Sequence, residues 1–163
     1  MSDMLKFVRM KMSAFRLGTF LALVALAPVA SSQAPQRAPV VGGCLIQPGT
    51  RCPGVDLRGL NLDRANLAGA DLSGARLTNA TLRGANLQGT QLRGAALGGA
   101  QLQSSWLMNA DLTNAELSNA NLSGAQLQGA RLDGTLLGGA NFTGAVAPDG
   151  KRCGQNSVGG CRP

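Results

Sequence analysis

From Val55 to Gly144 an apolar residue returns at every fifth position, and the residues between are mostly small or polar. The unit reads Ala-(Asp, Asn or another polar residue)-Leu-x-Gly, as in Ala65-Asn66-Leu67-Ala68-Gly69, and eighteen units follow one another in register. The centre is Leu in seventeen of them and Phe142 in the last. A period of five suits neither regular element. On an α-helix it advances the side chain by about 140°, so the leucines wind around the axis and form no stripe. A Gly in every unit also costs about 1 kcal/mol in a helix interior. In an unbroken strand an odd period sends successive leucines to opposite faces. Every fifth residue stays inside only if the chain bends once per unit.

The composition of the unit supplies that bend. Two residues after the central Leu stands Gly in twelve units and Asn in four (Asn79, Asn109, Asn114, Asn119), with Arg64 and Ser104 as the exceptions. Gly tolerates positive φ without steric cost, and Asn is the best substitute. Two residues before the Leu lies a second inward position. It is Ala in thirteen units, otherwise Val55, Leu60, Thr90, Ser105 or Thr135. Nothing large fits where the sides converge on a narrow axis. The three remaining positions face solvent, and successive coils stack at about 4.8 Å with backbone bonds running from coil to coil.

With these residues the run Val55 to Gly144 resembles the pentapeptide-repeat family, whose familiar unit is A(D/N)LxG. The resemblance implies an all-β fold, a right-handed quadrilateral β-helix with four units and twenty residues per coil. Eighteen units then make about four and a half coils and a rod of roughly 20 Å. On that coil length Asp56 stacks beside Arg76, Asp63 beside Arg83 and Asp111 beside Arg131.

The flanks differ in kind. Lys6, Arg9, Lys11 and Arg16 precede the apolar run Leu17 to Ala27, then Pro28 and the small residues Val29-Ala30-Ser31-Ser32. This is the layout of a secretory signal peptide over residues 1–32, with Gln33 as the preferred mature start and the Val29/Ser31 rule next. The apolar run is well short of the ~20 residues that span a bilayer, so no stable membrane anchor is expected. Gln33 to Gly43, rich in Pro and Gly, is expected to be a disordered lead-in. It belongs to an N-terminal segment 33–54 that ends in a disulfide-closed cap. The C-terminal cap is 145–163, with Pro148-Asp149-Gly150-Lys151 as a turn after the last coil.

All four cysteines lie outside the repeat, at Cys44, Cys52, Cys153 and Cys161. Export and an even count favour disulfides. Ends of a rigid rod about 20 Å apart cannot be joined by a bond that needs Cα atoms within ~7 Å, which selects Cys44–Cys52 and Cys153–Cys161. The chain has no His, and the cysteine spacing is not that of zinc sites, so no metal is expected.

The net charge of +7 suggests a nucleic-acid binder until it is localised. Losing four basic residues and Asp3 with the leader leaves +4, and the repeat itself is neutral, with six Arg against five Asp and Glu116. No continuous basic stripe exists, so no nucleic acid is expected. Neutrality also bears on the family members linked to fluoroquinolone resistance, which resemble DNA in shape and negative charge and bind DNA gyrase. Only the shape carries over here, so a DNA-mimicking modulator of gyrase or another topoisomerase is the alternative reading.

Without His or Tyr, and without Cys in the repeat, neither triads nor histidine-based acid–base chemistry can be built, and no enzymatic activity or cofactor is expected. The aspartates mostly occupy the place before Leu, where the unit itself asks for Asp or Asn. Asp63 and Asp133, one place after Leu, read as surface residues. The pattern breaks at Gln101 to Asn109: Ser104 replaces the corner Gly, Ser105 the inward Ala, and Trp106 and Met108 point outward. The segment is either a contact for a partner or a sugar, or drift of the repeat; single exposed apolar residues are common, which favours drift. Leu136 is a second outward apolar residue, near an end where self-association through the last coil is possible. The expectation is an exported, non-enzymatic structural or protein-binding scaffold, periplasmic or extracellular. Its candidate binding residues are Ser104, Ser105, Trp106, Met108 and Leu136.

Overall fold

The computed structural model describes residues 39–162. The leader assigned to residues 1–32 lies outside the described residues. Among the described residues no helix is long and apolar enough to cross a membrane. Among the described residues the only continuous strands are β1 (Val40–Val41) and β2 (Cys44–Leu45), paired antiparallel. The rod is built instead from single-residue parallel bridges between positions twenty apart, from Arg51↔Asp71 to Gln126↔Val146. Each bridge carries two bonds: Leu97 N donates to Glu116 O at 2.7 Å, and Glu116 N donates to Ala95 O at 2.9 Å. Four five-residue sides therefore complete one coil.

Every corner has the backbone that the Gly/Asn rule requires. All eighteen corner residues have positive φ, including the two exceptions, Arg64 at 60° and Ser104 at 55°. A bond from the next inward residue closes each turn, as from Ala100 N to Leu97 O at 3.0 Å. Positive φ at the third residue of such a turn is the requirement that selects Gly or Asn. The interior follows. Leu67 to Leu127 and most of the intervening alanines are fully buried. Where Thr or Ser replaces Ala the hydroxyl is satisfied by a carbonyl: Thr90 donates to Leu67 O (2.9 Å), Ser105 to Leu102 O (2.8 Å) and Thr135 to Leu112 O (2.8 Å).

The ends depart from a simple lead-in and cap. The coil geometry already includes Arg51, and Cys52 stands where a unit places its Leu. Disorder from Gln33 to Gly43 is corrected for residues 39–43. Gly42 and Gly43, with φ of 58° and 79°, close the β1–β2 hairpin in the conformation a two-residue turn needs. Its turn packs on Val55 and the carbonyl of Asp56, and Cys44 and Ile46 are buried. At the other end the chain reverses through Pro148 to Lys151 and returns antiparallel, pairing Val146 with Arg152 and Asn141 with Val158. Two disulfides fix these segments: Cys44–Cys52, with Cα atoms 5.7 Å apart, and Cys153–Cys161, with Cα atoms 4.9 Å apart.

Non-glycine corners obey a further stacking rule. A methyl group added at Gly99, Gly129, Gly134 or Gly139 would collide with Oδ1 of Asn79, Asn109, Asn114 or Asn119, the corner one coil earlier. Each Asn corner thus requires Gly above it. At Gly94 a methyl group meets nothing within 4 Å, and only the positive φ opposes it. Gly94→Ala is expected to cost about 1–2 kcal/mol, and Gly129→Ala measurably more. Asn109→Gly in the Gly129→Ala background should recover the excess in a double-mutant cycle read by urea unfolding. Additive effects would mean that the two corners do not press on one another.

Candidate functional site

The twenty-residue coil sorts the outward residues into four walls. The first carries Arg51, Asp71, Gln91, Asp111 and Arg131, and the second Asp56, Arg76, Ala96, Glu116 and Leu136. The third carries Asn61, Thr81, Gln101, Asn121 and Asn141, and the fourth Asn66, Asn86, Trp106, Gln126 and Val146. A second row lies two residues further along each unit, beyond the Leu. The preference for Asp or Asn in the first row has a local cause: the side-chain oxygen accepts the amide two residues on. Asn61 Oδ1 takes Asp63 N at 3.0 Å, Asp71 Oδ1 takes Ser73 N at 3.1 Å, and Asn86 Oδ1 takes Gln88 N at 3.1 Å. These carboxylates serve the turn that follows them.

The three expected stacked pairs are neighbours. Arg76 lies 3.7 Å from Asp56, and Arg131 lies 3.7 Å from Asp111. Asp63 and Arg83 also stack, but there the carboxylate accepts the backbone amide of Arg83 at 2.9 Å. The shortest ion pairs run along a wall or between its two rows: Arg58 to Asp56 and Arg93 to Asp111, both 2.6 Å. Hydrogen bonds from Arg58 hold Asp56 down at about 2, against an ordinary 3.8. Asp111, the least exposed of these acids, is held at about 2 by the Thr113 hydroxyl and by Arg93. Among the described residues no group of three or more His, Cys, Asp or Glu is placed to hold a metal.

The candidate binding residues separate. Trp106 is half exposed (51%) in the fourth wall, bridged to Asn86 and Gln126. Met108 lies beside it in the second row, partly buried. Ser104 is an exposed corner. Ser105 is corrected: it is fully buried with its hydroxyl spent on Leu102 O, so it is a core residue out of reach of any partner. Leu136 is exposed at 61% on the second wall, away from Trp106.

Leu136 borders a feature that the repeat pattern did not reveal. The antiparallel tail covers only two sides of the last coil, those centred on Phe142 and Ala147: Phe142 N reaches Ser157 O at 2.8 Å, and Gly144 N reaches Cys153 O at 3.1 Å. The sides centred on Leu132 and Leu137 stay open. Among the described residues the amides of Leu132, Gly134, Leu137 and Gly139 meet no carbonyl, and Leu132 and Leu137 are only partly buried. In the coils below, the corresponding amides are all paired.

A stack of five-residue sides with a Leu and a small residue inward and Gly or Asn at each corner defines a pentapeptide solenoid. A family model described as pentapeptide repeats matches in eight copies, over residues 49–79, 61–99, 96–134 and 125–147. The chain belongs to the pentapeptide-repeat family. Among solved structures it is similar to the pentapeptide-repeat protein Rfr23 of the cyanobacterium Cyanothece 51142, with 34% identity over 60% of this chain and 90% of that one (TM-score 0.46). It is also similar to a pentapeptide-repeat protein of the Arabidopsis thaliana thylakoid lumen, with 33% identity over 61% of this chain and 63% of that one (TM-score 0.33). QnrB1, a plasmid-mediated fluoroquinolone resistance protein, matches at 24% identity over 55% of this chain and 47% of that one (TM-score 0.34). No curated protein matches the chain.

The acid pairs give a pH test. A carboxyl whose folded value is lowered contributes stability that is fully present above its unfolded value and is lost as pH falls through the folded one. For Asp111 that window runs from about 4 down to about 2. Asp111→Asn keeps the side-chain oxygen for Thr113 N and removes only the charge. It is expected to cost about 1 kcal/mol at pH 7, with the gap to the parent closing by pH 2 in urea unfolding. A gap that persists undiminished at pH 2 would assign the loss to shape rather than charge.

Proposed function

We propose that the protein is an exported, non-enzymatic scaffold: a right-handed quadrilateral β-helix of about four and a half coils, pinned at both ends by disulfides. The observation that carries this reading is how the coil itself uses its aspartates and its inward hydroxyls. Asp56, Asp71 and Asp111 accept turn amides, Asp56 and Asp111 also pair with Arg, the inward hydroxyls bond to carbonyls, and among the described residues no convergent set of acid, base and nucleophile remains. What is left is surface. Two closed disulfides and a basic, apolar leader pattern at residues 1–32 support export to an oxidising compartment. Partner binding, self-association included, falls to the open edge at residues 130–139, where unpaired amides and partly buried leucines lie side by side.

The topoisomerase reading gains nothing from the walls. The first wall mixes Arg with Asp, and Asp111 and Asp133 pair with Arg at close range, so no wall presents the continuous negative charge that would mimic a duplex.

Two measurements test the proposal. The tagged chain, produced in its native host, is expected outside the cytoplasm with all four cysteines unreactive to a thiol label until reduced. Recovery from the cytoplasm with free thiols would overturn export. Purified oxidised protein is expected to leave gyrase supercoiling unchanged at low micromolar concentration (on the order of 1–10 μM), where specific protein contacts are populated. Inhibition there would restore the topoisomerase alternative.

A further inference from the structure

The charges of the rod are not spread evenly over its walls. The first wall carries Arg51, Asp71, Asp111 and Arg131 in its first row, with Arg93 and Asp133 in its second. The second has Asp56, Arg58, Arg76 and Glu116, and the third has Asp63 and Arg83. The fourth has none. Its first row is Asn66, Asn86, Trp106, Gln126 and Val146, and its second row holds Gln88, Met108 and Gln128 between Ala68 and Pro148. Charge resumes at its margins, with Arg64 at a corner, the Asp149–Lys151 pair after Pro148, and Arg152 beyond Val146. Five rungs at strand spacing make this a charge-free face of about 19 Å along the rod.

At the middle of that face stands the only Trp of the chain, half exposed, with amide side chains above and below it. The amides have unused capacity. Asn86 spends its oxygen on Gln88 N and leaves its NH2 free, and the side chain of Gln88 has no partner among the described residues. Gln126 holds Gly124 O only at 3.4 Å while accepting from Gln128 at 3.1 Å; Gln128 Oε1 is buried and without a partner among the described residues. The third wall repeats the Gln pair at Gln101 and Gln103, with the same orphan oxygen on Gln103, but has charge and no aromatic.

We propose that the fourth wall binds a neutral polysaccharide, with a sugar ring stacked on Trp106 and hydroxyl groups hydrogen-bonded to the amides of Asn86, Gln88 and Gln126. The chemistry of the face selects this class. An extended sugar chain presents C–H faces that match an aromatic ring, and vicinal hydroxyls that match planar amides able to donate and accept. A protein partner fits less well. Its apolar core would bury five amides without replacing their hydrogen bonds, which is costly, and Trp106 with the partly buried Met108 makes only a small apolar centre for a protein interface. An anionic polymer finds no cation here. The ligand runs along the rod, rung by rung, so affinity rises with chain length.

Trp106 is itself the reporter, since all indole fluorescence of the chain comes from this wall. The full chain with both disulfides closed is titrated with soluble neutral oligosaccharides of glucan, mannan and chitin type. It is also sedimented with insoluble cellulose and chitin. The expected result is an emission shift and pelleting with at least one neutral polymer, stronger for longer chains and unchanged by about 0.5 M salt, where charge pairing is screened. Trp106→Ala is expected to weaken binding about tenfold, Trp106→Phe less, and Arg93→Ala on the first wall not at all. Three results would overturn the assignment: no response to any neutral polymer, retention that survives Trp106→Ala, or binding to polygalacturonate that salt abolishes. Parallel melting curves for parent and variants show whether a loss is local, and the fluorescence of the parent chain decides independently of any variant.

Discussion

Everything in the rod depends on one backbone position in five taking positive φ. That corner turns the chain through one side of the coil and brings every Leu to the same axis. It also sets the inward residue of the next side so close to the axis that Ala is the usual choice. Because each side is only five residues long, the strands reduce to single bridges, and no wall can hold itself together. Cohesion runs along the rod, each coil bonding to the ones before and after it. The corner also couples coils sterically, since an Asn at one level needs Gly at the next. The Gly and Asn corners of the sequence are therefore arranged in stacks, and a choice at one coil constrains the residue twenty positions later.

This explains why so much of the rod was legible in the sequence and the ends were not. The corner residue, the inward pair and the polar outer positions are local properties of a unit, so they can be read from any one unit and checked on seventeen more. Even Arg64 and Ser104, which lack the expected residue, keep the expected φ because their neighbours impose it. At the ends the neighbours differ. Residues 39–43 read as a loose lead-in from their Pro and Gly, yet the same glycines make the turn of a hairpin that lies on the first coil. Cys52 read as part of a cap, but it takes a Leu position in the coil, so one residue serves the core and the disulfide together. Ser105 was grouped with the candidate binding residues because it sat in an irregular segment. Its place in the unit, two before Leu, already marked it as inward.

The charge balance shows a different limit. A neutral total over the repeat is true and uninformative, because it averages a wall of alternating ions with a wall that has none. The distribution appears only when residues are sorted with a period of twenty instead of five. In that register the irregularity at Trp106 changes meaning: it stands at the centre of a ladder of amides, on the single wall from which charge is missing.

The two ends also differ in how they stop the stack. A solenoid of parallel bridges exposes unpaired amides and carbonyls at its last coil, and such an edge invites further pairing. The C-terminal tail closes half of it by reversing direction, so the bonds it makes with residues 140–147 are antiparallel and no further coil can follow there. The other half stays open, but in a form that few partners can use. Its two sides are separated by the corner at Gly134, each offers amides at only two positions, and the Arg131–Asp133 pair (3.5 Å) lies on the first of them. An ordinary extended strand could pair with one side and would then leave the rod. Only a chain bent through the same corner could satisfy all four amides.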